Sequence, residues 1–447
     1  MSVQKGRTPM SKPSKVRYIV LVGICLLYFI SYLDRVTISV AAPKIIQEFA
    51  FSKSTMGLIF SAFAISYALF QIIGGTLGDR FGPRRILSLL MAWWSMFTIL
   101  TGFAASFLSF FIVRLMFGLG EAGGFPVATR GLASWFPSTN RGLLQGTTHA
   151  ASRVGAAFAP PIIVAIVIYF GGWRWGFYLL GGLGLLWTIF FFIFFRNTPR
   201  EIAAVNEGER ALIREDKPSL LAEKPPIPWR KILHSKDLWA LTFSYFTYGY
   251  TLWIYLTWLP TYLTQGRHFS FAQLGIVASL PLVGGILGDL AGGLVCDTIY
   301  KKTGNINLAR RSIIIISFVG SAAFTIPAAL VSSALLSEIL IIGAVFMLEC
   351  AVSVCWTISM DLGGEHYSGT VSSFMNTGNG IAGIIAPIIF GYLIDRTGSW
   401  VPGFSIGSVL LIVGAFTILL VNAKNSIDPE DATIASSAEP VLVTETP

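Results

Sequence analysis

Three arginines and two carboxylates interrupt runs that are otherwise apolar: Arg35, Arg114 and Arg153 against Asp34 and Glu121, with His149 close by. An ionisable side chain at the centre of a bilayer helix costs about 2.5–3.5 kcal/mol on insertion scales, so each is a functional candidate by default. Arg114 and Glu121 are two helical turns apart and share one face of their helix. His149 and Arg153, one turn apart, share a face of the next, with Ser152 beside them. Asp34 and Arg35 are adjacent and point about 100° apart, so both can border one cavity. Cations outnumber carboxylates, which implies an anionic ligand; the alternative is a set of structural ion pairs tying these helices together. Burial disfavours a charged carboxylate and a nearby guanidinium favours it. A moving arginine or an arriving anion can therefore load and unload a proton at Asp34 or Glu121. Such a site needs no cofactor beyond protons as coupling ion. No metal site is expected, since Cys25, Cys296, Cys350 and Cys355 fit neither a metal-ligand spacing nor a disulfide framework.

The second half of the chain is poorer in charge, with Asp289, Glu349 and Asp361, and richer in aromatics and amides. Tyr250, Trp253 and Tyr255 lie in one run, Trp356 in another beside Ser353 and Cys355, and Asn376 and Asn379 in a third. Tyr and Trp often anchor helices at the lipid interface, but Trp356 sits mid-run and is the exception favoured for ligand contact. Asn376 and Asn379 are poor candidates for a lipid face; a ligand contact and an interhelical hydrogen bond both remain open for them.

A different chemistry is offered by Gly75-Thr76-Leu77-Gly78-Asp79-Arg80-Phe81-Gly82-Pro83-Arg84-Arg85. Small residues allow close helix approach, and Gly82-Pro83 makes a tight turn. Asp79 can meet a base in one conformation and release it in another, so the segment reads as a conformational latch built from Gly75, Asp79, Arg80, Gly82, Arg84 and Arg85. An ordinary topogenic loop is the simpler alternative.

These residues must be held by membrane helices. Of 447 residues, 54% are hydrophobic and only 12% charged, about half the charge of a soluble domain. Uncharged runs of bilayer length fall near 18–42, 54–78, 86–104, 107–134, 143–168, 174–196, 238–265, 270–297, 311–332, 337–362, 368–392 and 402–423. They lack the alternation of porin strands. The first run is long, contains Asp34-Arg35 and is followed by others, so it reads as a helix and not as a cleaved leader. With the N-terminus inside, about 23 Lys and Arg fall on the cytoplasmic side and about 5 outside. The net charge of +9 therefore reports topology and not a nucleic-acid partner. Expected partners are the lipid bilayer and a small organic anion, the chain acting as a monomer in the inner membrane with both termini cytoplasmic.

The charged, proline-rich stretch 197–237 divides the spans six and six. The expected organisation is a cytoplasmic segment 1–17, a six-helix bundle 18–196, a linker 197–237, a second bundle 238–423 and a disordered tail 424–447. A shift of 218 residues carries Phe51-Ser52 onto Phe269-Ser270, Gly57 onto Gly275, Ser61 onto Ser279, Gly74-Gly75 onto Gly292-Gly293 and Asp79 onto Asp297. A shift of 227 carries Ala159-Pro160 onto Ala386-Pro387 and sets Asn376 against His149 and Asn379 against Ser152. The chain reads as a duplicated, all-α polytopic protein, an arrangement through which secondary transporters alternate access. An enzyme is not expected: there is no His-Glu-x-x-His, and the Gly-Asp pairs lack the glycine of an intramembrane protease motif. The 197–237 loop is also too small for a sensor domain.

The run from Gly75 to Arg85 resembles the signature loop of the major facilitator superfamily. Tyr32-Leu33-Asp34-Arg35, Arg114 to Glu121 followed by Ala122-Gly123-Gly124-Phe125-Pro126, and Ser134-Trp135-Phe136-Pro137 with Arg141 resemble its anion:cation symporters. The resemblance implies two pseudo-symmetric six-helix bundles and proton-coupled symport of a sugar acid such as a hexuronate, aldonate or aldarate. Phosphate or an amino-dicarboxylate is the alternative cargo. It implies protonation at Asp34 and Glu121, substrate carboxylate binding at Arg35, hydroxyl contacts from Tyr32 and Tyr67, and second-half contacts from Trp356 and Asn376. Ser152 stands where galactonate carriers have glutamine, and Cys355 where they have threonine. With His149 and Arg153 flanking Ser152, the departures point to a more acidic substrate such as a diacid.

Overall fold

A computed structural model of the protein describes residues 12–136, 141–214 and 227–427, and among these the regular structure is helical. The first seven long helices are α1 (Val16–Phe49), α2 (Lys53–Phe81), α3 (Pro83–Gly102), α4 (Phe107–Ala122), α5 (Gly124–Trp135), α6 (Arg141–Phe170) and α7 (Arg174–Phe194). The linker region holds the short helices α8 (Glu207–Arg214) and α9 (Trp229–His234). Then come α10 (Lys236–Thr261), α11 (Phe271–Val277), α12 (Leu280–Thr303), α13 (Ile306–Leu330), α14 (Ala334–Cys350), α15 (Val352–Thr397) and α16 (Val401–Thr417).

Eleven helical stretches among the described residues are long and apolar enough to cross a membrane. The remaining expected span, 238–265, falls on α10, whose seven Tyr or Trp and five Thr depress its hydropathy. Most of those aromatics are buried against protein. Three expected spans are broken: 270–297 is divided between α11 and α12 at Ala278. The 107–134 run turns at Gly123 between α4 and α5, and the 337–362 run turns at Ala351 between α14 and α15. The 46 residues of α15 contain a further break at Gly364, where φ is +59°. That conformation suits glycine and separates the expected spans 337–362 and 368–392.

The chain divides into two compact units, Met1–Glu223 with Leu259–Ser279, and Lys224–Trp258 with Leu280–Pro447. Leu259–Ser279, read from the sequence as part of the second bundle, groups with the first. Its helix changes to a π turn at Tyr262–Gly266, and beyond that turn Gly275 packs on Pro161 and Val164 of α6. Helix caps preserve the repeat: Ser52 accepts from the Thr55 N–H and Ser270 from the Gln273 N–H, each satisfying an orphan donor.

Without a hydrophobic drive between helices in lipid, close packing through small residues supplies much of the association. In the first unit, a Cβ on Gly118 of α4 would lie 2.4 Å from the Phe63 carbonyl oxygen of α2. In the second, a Cβ on Gly292 of α12 would lie 2.0 Å from the Cys350 carbonyl oxygen of α14. Both positions exclude any side chain. The C-terminal end of α1 is tied to α7 by Glu48, which accepts from Arg174 at 2.7 Å and from the Trp173 indole at 2.7 Å. At the other end, buried Glu209 of α8 accepts from the Ser14 hydroxyl and the Arg17 N–H, capping α1. Residues 428–447, most of the expected disordered tail, lie outside the described residues.

Candidate functional site

In the first unit α1, α2 and α4 bring together four of the ionisable residues singled out above. Arg35 of α1 donates from Nη2 to Glu121 Oε1 of α4 at 3.1 Å, and the Ser31 hydroxyl, one turn back on α1, donates to the same oxygen. Glu121 is fully buried, and its other oxygen, Oε2, has no hydrogen-bond partner. The Arg35 guanidinium lies 4.6 Å from the Tyr32 ring centroid, 4.9 Å from Phe63 and 5.1 Å from Tyr67. Ring faces are attractive to a cation, so three aromatics and one carboxylate hold this arginine. Its side chain keeps 13% of its surface exposed.

Arg114 is deeper, at 3% exposure, with its guanidinium 4.6 Å from Phe117 and 5.3 Å from Phe63. Phe63 therefore touches both guanidiniums. Asp34 is 1% exposed and neither of its carboxylate oxygens has a hydrogen-bond partner. It looks toward Thr98 of α3, whose hydroxyl is already donated to the Trp94 carbonyl at 3.0 Å. Asp34 also lies within electrostatic reach of Glu121 and Arg114. An unpaired buried carboxylate is costly when charged.

His149 of α6 lies beside Tyr28 at 6.3 Å and Phe125 at 6.4 Å between ring centroids. Ser152 is buried and donates its hydroxyl to the His149 carbonyl at 2.7 Å, while Arg153 is half-buried. In the second unit the Trp356 indole donates to the Tyr245 hydroxyl at 2.9 Å. Tyr245 stacks on Tyr248 at 5.1 Å, and Tyr248 donates to Glu349 at 3.1 Å. Asn376 and Asn379 are half-buried on α15, with Asn379 Oδ1 buried and unpartnered against Gly249 of α10.

The latch residues are partly described. Gly82, at φ +84°, both ends α2 and starts α3. Arg84 donates through Nε and Nη2 to the Phe192 carbonyl at 2.9 and 2.7 Å, and its N–H donates to Asn197 at 2.9 Å, fixing the turn to the end of α7. Arg80 and Arg85 are exposed. The surroundings of Gly75, Asp79 and Arg141 lie outside the described residues. At the repeated position Asp297 does meet a base, Arg310, at 3.7 Å, and Arg310 also donates to Asp361 at 3.2 Å.

Sequence reasoning missed three residues here. Ser31 and Phe63 carry no charge to announce them. Glu338 is 1% exposed with both oxygens unpartnered, yet lies one turn inside the N-terminus of α14, where a carboxylate reads as rim.

The profile of the Major Facilitator Superfamily matches residues 24–387. A probable sulfoacetate transporter from Cupriavidus necator is 42% identical over 94% of this chain and 97% of its own. The hexuronate transporter of Bacillus subtilis is 31% identical over 91% and 94%, and a D-galactonate transporter of Escherichia coli 30% identical over 92% and 96%. Among solved structures, a bacterial homologue of the human lysosomal transporter Spinster, inward-facing and occupied, superposes with a TM-score of 0.74 at 19% identity, covering 95% of this chain and 100% of that one. The nucleoside transporter NupG follows with a TM-score of 0.67 at 13% identity, over 90% and 99%.

Proposed function

This chain belongs to the Major Facilitator Superfamily as a multi-pass membrane transporter of organic anions, and we propose that it carries a small dianion in symport with two protons. The observation that carries the reading is the charge balance around Arg35. Two guanidiniums, Arg35 and Arg114, share the first unit's core with two carboxylates, Asp34 and Glu121. With both carboxylates ionised the four charges cancel; with both protonated the group carries two positive charges, the complement of a dianion.

Competition for Arg35 supplies the coupling. Glu121 and an incoming anion both offer oxygens to the same guanidinium. A proton on Glu121 gives up Arg35 to the anion, and loss of that proton recaptures Arg35 and expels the anion. By linkage, the anion raises the site's affinity for protons by the same factor that protons raise its affinity for the anion. Alternating access then moves the loaded or empty site between the two faces of the plasma membrane, the termini lying in the cytoplasm and the chain working as a monomer.

A sulfocarboxylate such as sulfoacetate is the favoured cargo. The relative bearing that name is 42% identical, against 31% for the hexuronate carrier. The sequence also replaces a neutral amide by Ser152 between His149 and Arg153. A sugar diacid is the second candidate on the same charge argument. Thermal unfolding of the purified protein with sulfoacetate, glucarate, glucuronate, galactonate and phosphate tests this. The dianionic organic acids should stabilise it and Arg35→Ala should abolish the effect; equal stabilisation by the monoanionic sugar acids, or an undiminished shift in Arg35→Ala, would reject it.

A further inference from the structure

Glu121 and Glu349 occupy the same place in their respective units. Each is the penultimate residue of its helix, α4 or α14, immediately before a break. In each the capping residue, Gly123 or Ala351, turns its backbone N–H toward the glutamate's own carbonyl. Each is buried, and each accepts a hydrogen bond from the long helix that opens its half: Arg35 of α1 for Glu121, Tyr248 of α10 for Glu349. The two lie 228 positions apart, one more than the shift of 227 that relates the later parts of the halves.

The difference lies in the donor. A guanidinium is a charge for which an anion can compete; a phenol is a neutral donor that an anionic substrate has far less reason to capture. The first unit's glutamate can therefore exchange partners, whereas the second unit's glutamate keeps its own. From Tyr248 the contacts continue to a residue with a free face. Tyr248 stacks on Tyr245 with ring planes 15° apart, and the Tyr245 hydroxyl receives the Trp356 indole N–H at 2.9 Å. Trp356 is half-buried and crosses Tyr245 nearly edge-on, at 87°. Gly285 of α12 backs the Glu349 side chain so closely that a Cβ there would stand 3.0 Å from its Cγ, which leaves the carboxylate little freedom to turn away.

We propose that Glu349 is a positioning residue for substrate recognition: through Tyr248 and Tyr245 it fixes the orientation of the Trp356 ring as a platform for the uncharged part of the anion. The duplicated frame is thereby divided in labour, with Glu121 exchanging partners and Glu349 holding a recognition surface. The second step rests on the function proposed above; the first, that Glu349 orients Trp356, does not.

The test separates them. In full-length protein without ligand, the fluorescence of Trp356, isolated by subtracting the Trp356→Phe variant, should shift in both Glu349→Gln and Tyr248→Phe, and the double variant should match the singles. With sulfoacetate and glucarate as probes, each single variant should raise KM about tenfold, the scale of one charge-assisted hydrogen bond, with the maximal rate nearly unchanged and no further rise in the double variant. An unchanged Trp356 signal in correctly folded Tyr248→Phe would overturn the positioning role outright. A shifted signal with unchanged KM would overturn its link to substrate. If neither probe is transported by the parent protein, the proposed function fails while the ligand-free fluorescence still decides whether Glu349 orients Trp356.

Discussion

Removing the Arg35 guanidinium is the most revealing single perturbation of the first unit. Arg35→Ala strips Glu121 of its cation and leaves a fully buried carboxylate with Ser31 as its remaining donor. Breaking one side of a buried ion pair costs about 3–5 kcal/mol, because the surviving charge is uncompensated. Lost contacts to Tyr32, Phe63 and Tyr67 add about 0.5–2 kcal/mol. For a unit of this size each kcal/mol moves the unfolding temperature by roughly 2–4 °C, so the single variant should unfold at least about 6 °C lower at neutral pH. Glu121→Gln keeps the shape and removes the charge, so the double variant Arg35→Ala/Glu121→Gln should recover most of the loss. The assay is thermal unfolding of the four proteins in nanodiscs at neutral pH. If the two single effects simply add in the double variant, the pair is not coupled and the competition mechanism falls.

Other expectations are simpler. Gly118→Ala would set a methyl 2.4 Å from the Phe63 carbonyl oxygen and should destabilise by about 1–3 kcal/mol through overpacking; an unchanged unfolding temperature would show that α2 and α4 can yield there. Glu338→Met should raise the unfolding temperature, since an unpartnered buried carboxyl gives way to an apolar chain of similar length, a gain of about 1–3 kcal/mol; a fall would reveal a partner for Glu338. Asp34→Asn should abolish accumulation driven by a proton gradient, and continued uphill uptake would remove Asp34 from the coupling.

How much of this was legible in the sequence depended on the kind of signal. Asp34, Arg35, Arg114 and Glu121 stood out because a charge within an apolar run is costly and so must be matched. The helical spacing of Arg114 and Glu121 put them on one side of α4, but which of them meets Arg35 is set by how α1 and α4 cross, and local spacing cannot give that. Ser31 and Phe63 complete the site through packing alone. α10 was recoverable from its length even though Tyr, Trp and Thr lower its hydropathy, while the break after Glu121 was signalled only by the Gly123-Gly124-Phe125-Pro126 run. Its twin after Glu349 has no glycine at all: Cys350-Ala351-Val352 carries no break signal in the sequence. Trp356 was singled out for its position, yet its use of the indole N–H on Tyr245, and the path from there to Glu349, joins residues more than a hundred positions apart.

The claim that matters most is that one dianion travels with two protons. Proteoliposomes containing the protein, loaded with a pH indicator and supplied with labelled sulfoacetate, measure both fluxes together. Two protons entering per anion, with a rate indifferent to an imposed membrane potential, is the predicted result. Uptake that proceeds without internal acidification, or that responds to voltage, would contradict it.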